Sequence, residues 1–341
     1  MTRTIRELAR GLRFPEGPIL LPDGSVLVVE IAAGRLTRVA RDGATEVVAM
    51  PGGGPNGAAI GPDGRCYVCN NGGFEWTGRD GRLYPRHEAP DWRGGRIDVV
   101  DLRTGSCSVL YGPDSVEGGL KAPNDLVFDA HGGFWFTDHG HLHAHGRDRG
   151  AVCYATPDGR SIARVVHSLD TPNGIGLSPD GRTLYVAETV TARLWAFDVT
   201  APGRIDRTRR NLLGHPGRLL AGLGGLHLFD SLAVDPAGRI IVATMPGQLT
   251  IVAPDGRIVD RVDVPDEVLV TNLCLDPADP LRAVVTLSST GRLVEVVLPA
   301  GCSAAAAPDP VPRDAHTQCQ AAGAGSAAGA AGSDSPVPGR R

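Results

Sequence analysis

Six short segments of this 341-residue chain open on a polar side chain and run into apolar residues: Glu16 in FPEGPIL, Asn56 in PNGAAI, Asn124 in PNDLVF, Asn173 in PNGIGL, Asp230 in FDSLAV and Asn272 in TNLCL. Gathered at one place, two carboxylates and several amide oxygens make an oxygen-only donor set. That set suits a hard divalent cation, calcium above all, which takes ~6–8 oxygen ligands, with zinc, manganese or magnesium as alternatives. Two carboxylates formally neutralise a divalent ion; without one they repel each other and their pKa values rise. Asparagine and aspartate also precede strands simply as turn formers. Six of them in matching register are harder to explain that way.

A second chemical cluster lies in GLKAPNDLVFDAHGGFWFTDHGHLHAHG, residues 119 to 146, which carries His131, His139, His141, His143 and His145. The last four alternate with other residues, so an extended segment would line them along one side. There they could bind zinc, iron or a substrate anion. The plainer reading is an exposed loop of titratable side chains. His139 and His141 directly follow WFTD and are placed to reach a pocket, as substrate-binding or proton-transfer groups. With a near-reference pKa of ~6.5, such an imidazole would titrate near neutrality.

These residues need elements to position them, and the chain repeats one element six times. LPDGSVLVVEI (21 to 31), GPDGRCYVCNN (61 to 71), DAHGGFWFTDH (129 to 139), SPDGRTLYVAET (179 to 190), DPAGRIIVATM (235 to 245) and DPADPLRAVVTL (276 to 287) each pair a turn signal with a strand-length apolar run. Two more strand-like pieces follow most of them. Helical periodicity is nearly absent. A unit of about four strands recurring every 40 to 70 residues or so marks propeller blades rather than a sandwich. The predicted fold is all-β, a six-bladed β-propeller over residues 1–302, in which each polar residue starts an innermost strand and faces the axis. TIRELAR (3 to 9) supplies the outer strand of the last blade, closing the ring and protecting its edges. Residues 72 to 95 read as a long loop over one face, able to act as a lid. Residues 303–341 form a low-complexity tail with too few large apolar side chains to pack.

Composition narrows the function. At 42% hydrophobic the chain can build a full core, and a formal charge of -4 with no basic stripe gives no reason to expect nucleic acid. The opening residues lack a secretory h-region and no run is long enough for a membrane helix, so the expected location is cytoplasmic. Seven scattered cysteines show no zinc-type pairs, and Cys66 and Cys69 should point to opposite faces of one strand.

FPEGP, PNDLVFDAHGGFWFTD, PNGIGLSPDGRTLYVAET and FDSLAVDPAGRIIVAT together resemble the SMP-30/gluconolactonase/luciferin-regenerating family over about residues 10 to 300. The resemblance implies one metal at the pore mouth, held by Glu16, Asn124, Asn173 and Asp230, and hydrolysis of lactones or related esters. It gives Asp230 a double role as ligand and base. Asp125 and Asp138 are candidates to orient the ligands from behind, and a strand-end turn cap is the alternative for Asp138. The chain departs from the family at Asp230-Ser231, where DG is usual, and at FTDHGHLHAHG, which alters the wall beside the substrate. No GxSxG nucleophile is present. A metal-dependent isomerising or tailoring enzyme, or an interaction module with a structural calcium, are the other readings. The expected partner is a small lactone or ester, and the expected state a monomer or weak homo-oligomer.

Overall fold

The computed structural model describes residues 5–143 and 145–300; the expected tail, 303 to 341, lies outside them. Six antiparallel sheets form the blades of the propeller. The inner strands are Pro15–Leu20, Pro55–Ile60, Pro123–Phe128, Pro172–Leu177, Leu228–Val234 and Val270–Asp276. Each inner strand packs against the next, and the sixth against the first, so they ring a central axis. The sixth blade is completed by Ile5–Ala9 pairing antiparallel with Arg292–Val297, the closure expected from TIRELAR.

Every blade buries both faces. Six hydrophobic clusters fill the six spaces between neighbouring blades. That is why second strands such as Cys66–Asn70 and Phe134–Asp138 are buried at every residue and read as apolar runs with polar groups only at the end. Cys66 packs between blades one and two and Cys69 between blades two and three, on opposite faces as expected, and burial holds both thiols protonated.

Two local devices aim the six polar residues. First, every inner strand carries a register shift near its start, between Glu16 and Ile19, Pro55 and Ala58, Pro123 and Leu126, Pro172 and Ile175, Phe229 and Leu232, and Val270 and Asn272. A bulge bends a strand and re-aims the side chain it carries. Second, in four blades the last residue of the second strand is a buried acceptor for the backbone leading into the inner strand. Glu30 accepts from Arg13 N (2.7 Å), Asn70 from Gly54 N (2.9 Å), Asp138 from Ala122 N (2.6 Å) and Glu188 from Asp170 N (2.7 Å). Asp138 thus fixes the turn ahead of Asn124.

Close approach of neighbouring inner strands explains the glycine after the polar residue. A methyl group on Gly17, whose φ is +48°, would stand 2.7 Å from Asn56 O, and one on Gly174 would stand 2.5 Å from Leu232 N. Only glycine permits that contact.

The segment 72 to 95 is a correction. It is not a loop but a hairpin, Phe74–Arg79 paired with Arg82–Glu88, inserted between the second and third strands of blade two. Its turn is Asp80-Gly81, both with positive φ (52° and 73°). Two left-handed residues in a row match the twist of flanking strands, the usual reason for an Asp-Gly hairpin.

Candidate active site

Glu16, Asn56, Asn124, Asn173 and Asp230 line one cavity of roughly 340 Å3 on the axis, together with Asn71, His139 and His141. Asn272 does not join them: it lines the channel below, beside Asp125, where its Oδ1 accepts from Leu273 N (2.7 Å). A larger cavity, roughly 720 Å3, opens between blades one and six beside Arg41 and Glu295 and holds none of these residues. We therefore take the smaller axial cavity as the site, because chemistry depends on the groups present rather than on space.

The cavity floor is short of positive charge. Glu16 is buried, and loss of water pushes its pKa up to about 7 against a hydrogen bond from Gly17 N (3.2 Å). Burial and the Glu16 charge hold Asp125 at about 7 as well. Asp230 is raised well above the ordinary carboxylate range, first by burial and then by Glu16, with Asn173 bonding to it in partial compensation. Asn173 is oriented by its own amide, which donates to Thr189 Oγ1 (3.1 Å). Asn124 Oδ1 is buried and accepts no hydrogen bond. An unpaired buried oxygen costs ~1–3 kcal/mol, and clustered dry carboxylates cost more.

A cation fits that floor. It would give Asn124 Oδ1 a partner and neutralise Glu16 and Asp230 together, and all four donors are hard oxygens. Among the described residues no three His, Cys, Asp or Glu side chains are grouped as a metal site; this donor set is half amide.

The histidines depart from both sequence readings. They form neither a one-sided row nor an exposed loop. Gly140, at φ +79°, breaks the extended run after Asp138, so alternation fails there. His139 is half-buried, with its Nδ1–H on Gly140 O (2.7 Å). Burial depresses its pKa to about 4, so it is neutral near pH 7 and the expected titration step at neutrality does not belong to it. His141 is buried between the edges of Phe74 and Trp92 and bonds through Nε2 to Asn71 O (2.9 Å). A carbonyl only accepts, so Nε2 carries the proton and Nδ1 is left as a lone-pair acceptor; it is buried and unpaired. Asn71 Nδ2 in the same wall is likewise unpaired. His145 is exposed.

His143 bonds through Nδ1 to Glu88 Oε1 and through Nε2 to Asp148 Oδ2, both at 3.0 Å. Glu88 ends the inserted hairpin, so the imidazole clamps that hairpin to the segment Leu142–His143, where His87 Nδ1–H also reaches Leu142 O (3.2 Å). At its tip the hairpin is held to blade six by Leu83 N on Ser289 O (2.8 Å) and by Arg82 on Glu267 (3.4 Å). It therefore straps the cavity mouth, contributing Phe74, Tyr84, Pro85 and Arg86 to its lining. Glu88 and then Asp148 raise the His143 pKa. A raised histidine stabilises fully below its unfolded pKa and loses that contribution as pH rises through the folded value. Proton exchange of amides 74 to 88, corrected for intrinsic rate, is expected to speed up between pH 6 and 8 in the native protein and to lose that pH dependence in His143→Asn. An unchanged profile in the variant would show that the clamp is ornamental.

The sequence reading missed the walls: Phe74, Tyr84 and Arg86 come from the inserted hairpin of blade two, and Arg147 from the short pair Leu142–His143 and Gly146–Arg147 of blade three. The Asp80-Gly81 pair between FEWTGR and RLYPRHE was the signal for the first.

Residues 14–289 match the model of the SMP-30/Gluconolactonase/LRE-like region family. The chain belongs to that family. Curated members similar to it include the gluconolactonase of Zymomonas mobilis, 27% identical over 277 residues that make up 74% of this chain and 70% of that one. Lactonase drp35 of Staphylococcus saprophyticus is 32% identical over 198 residues, 57% of this chain and 53% of the lactonase; the chain thus spans about half of that relative. Among solved structures, a gluconolactonase of Xanthomonas campestris superposes with a TM-score of 0.66 at 23% identity, covering 86% of this chain and 89% of the other. A calcium-binding protein, regucalcin, of Agrobacterium tumefaciens superposes with a TM-score of 0.67 at 19% identity, covering 88% and 97%. At those identities the two structures speak for the fold.

Proposed function

We propose that this family member is a metal-dependent hydrolase that opens a lactone or cleaves a related ester. The observation that carries the reading is the cavity floor, where Asn124 Oδ1 lies buried without a partner among carboxylates raised by burial and by one another. Glu16, Asn124, Asn173 and Asp230 would hold the ion, calcium ahead of zinc, manganese or magnesium because every donor is a hard oxygen. When bound, such an ion supplies Lewis-acid polarisation of an acyl carbonyl.

The rest falls to the chain. Asp230 takes a proton from the attacking water while the water oxygen bonds to the acyl carbon. It returns that proton to the leaving alkoxide as the acyl C–O bond breaks, so one water is added and no electron is transferred. In the wall, Asn71 Nδ2 is a donor and His141 Nδ1 an acceptor for polar atoms of the substrate, each buried and otherwise unsatisfied. His139, neutral near pH 7, can accept a hydrogen bond but does not serve as a cationic acid there. Relatives named gluconolactonase and lactonase support the same chemistry.

Incubation of the calcium-loaded protein with a panel of lactones and aryl esters, read by product mass, tests this. A gain of one water with multiple turnover is the expected result. A product of unchanged mass would replace hydrolysis by isomerisation. No turnover by any metal-loaded form would leave a binding module.

A further inference from the structure

The cavity has three zones. Its floor carries Glu16 and Asp230, the only carboxylates among the described residues of its lining; its wall is largely apolar, with Phe14, Ile31, Met245 and Leu269; and its rim carries Arg86 and Arg147. The two arginines come from different insertions, Arg86 from the hairpin of blade two and Arg147 from the short pair Leu142–His143 and Gly146–Arg147 of blade three. Packing brings them to one edge. His87, next to Arg86, bonds Leu142 O, and Leu142 is the cross-strand partner of Arg147.

Neither guanidinium makes an ion pair or hydrogen bond among the described residues, and both side chains are exposed. Three acids near the two insertions have other partners, while Glu75, across the hairpin from Arg86, is exposed and makes no ion pair with it among the described residues. Glu88 and Asp148 both face His143, and Glu267 is taken by Arg82, Ser289 and Thr290. His139 and His141 add no charge, since burial keeps both neutral. Two unpaired arginine forks above an apolar wall are suited to a carboxylate, which they can bind in bidentate fashion, at the end of a hydrocarbon segment. A neutral polyol could use Asn71 and His141 in the wall, but it offers the two guanidiniums no charge to match.

Resting on the hydrolase reading for the role of the floor, we infer that the site is built for an anionic, amphiphilic ester or lactone. Its acyl carbon sits at the floor, its hydrocarbon segment along the wall, and its carboxylate between Arg86 and Arg147. The rim acts through substrate binding and takes no part in bond breaking. Its effect therefore belongs in KM and in the preference between substrates.

The test compares phenyl hydrogen glutarate, an anionic half-ester, with neutral phenyl acetate, and measures binding of glutaranilate, the amide isostere that resists hydrolysis. In R86A/R147A the ratio of kcat/KM for the half-ester over phenyl acetate is expected to fall tenfold or more, through KM, and glutaranilate Kd to rise by a similar factor. R86K/R147K should recover part of both, because charge returns without the fork. The native preference should shrink with added salt, as rim charges are screened. An unchanged ratio together with unchanged glutaranilate affinity overturns the inference and leaves the hydrolase reading standing, as does a native protein that hydrolyses phenyl acetate but does not bind glutaranilate. Should neither ester turn over while glutaranilate still binds in an arginine-dependent way, the hydrolase reading fails and the anion site stands.

Discussion

Asp230→Asn is expected to lower turnover by ~10²–10⁴-fold at full metal occupancy, the range usual for losing a positioned general base. The substitution keeps the size of the side chain and one oxygen donor, so a metal site depleted of one charge can still be filled at high calcium, and occupancy must be measured alongside rate. Glu16→Gln removes the same charge without removing the base. Its expected pattern differs: weaker calcium binding, with turnover largely regained once the metal is saturating. Stability should move the other way. Asp230 is raised by burial and by Glu16 and Asp125, so neutralising it relieves repulsion at the floor, and the metal-free variant is expected to melt higher than the metal-free native protein. A metal-loaded Asp230→Asn protein with full turnover would remove Asp230 from the chemistry.

That opposition between function and stability is built into the part of the molecule that was legible before any coordinates. The six in-register segments predicted six inner strands, and the structure brings Glu16, Asn56, Asn124, Asn173 and Asp230 to one cavity. They were readable because a blade is a local unit: turn, apolar run and buried terminal acceptor all lie within some tens of residues. Asn272 marks the limit of register reasoning. A different bulge position in the last blade, between Val270 and Asn272, aims it into the channel and not the cavity.

What sequence did not disclose is non-local. The partner of His141 Nε2 is a carbonyl 70 residues earlier, at Asn71, and His143 meets Glu88 across 55 residues. No spacing rule predicts such pairs, since both depend on two insertions packing over the same mouth. The row of histidines failed for a local reason that a sequence does contain: Gly140 frees the backbone to leave the extended conformation. The inserted hairpin was overlooked because its strands, FEWTGR and RLYPRHE, carry charges where a core strand would carry apolar residues. They face a cavity and solvent, not two neighbouring blades.

Calcium is expected to raise the melting temperature, and to raise it more at pH 8 than at pH 5. Glu16 and Asp125 have folded pKa values near 7, above the ordinary carboxylate values of 4.5 and 3.8. Between about pH 4 and 7 the folded, metal-free protein therefore holds more protons than the unfolded chain, and its stability falls as pH rises through that window. A bound cation takes Glu16 as an anion and favours the charged form of Asp125 beside it, which removes that loss, while at pH 5 protons compete for the Glu16 oxygens. Other groups titrate too, and not all in one direction. Burial depresses His139 to about 4 and lowers His141, which makes stability rise with pH through the same window, whereas the raised His143 acts in the same direction as the carboxylates. A single melting curve against pH would mix these effects. The difference between calcium-loaded and chelator-treated protein at each pH cancels the imidazole contributions, because none of those rings belongs to the four-oxygen set, and it leaves the floor carboxylates exposed to view. At calcium ~1,000-fold above Kd the stabilisation is ~4 kcal/mol, or roughly 6 °C for a chain of this size. Calorimetry with and without chelator at pH 5, 6, 7 and 8 measures the difference directly, and Glu16→Gln should flatten it. A calcium effect of equal size at pH 5 and pH 8, surviving in Glu16→Gln, would place the ion away from Glu16 and Asp230.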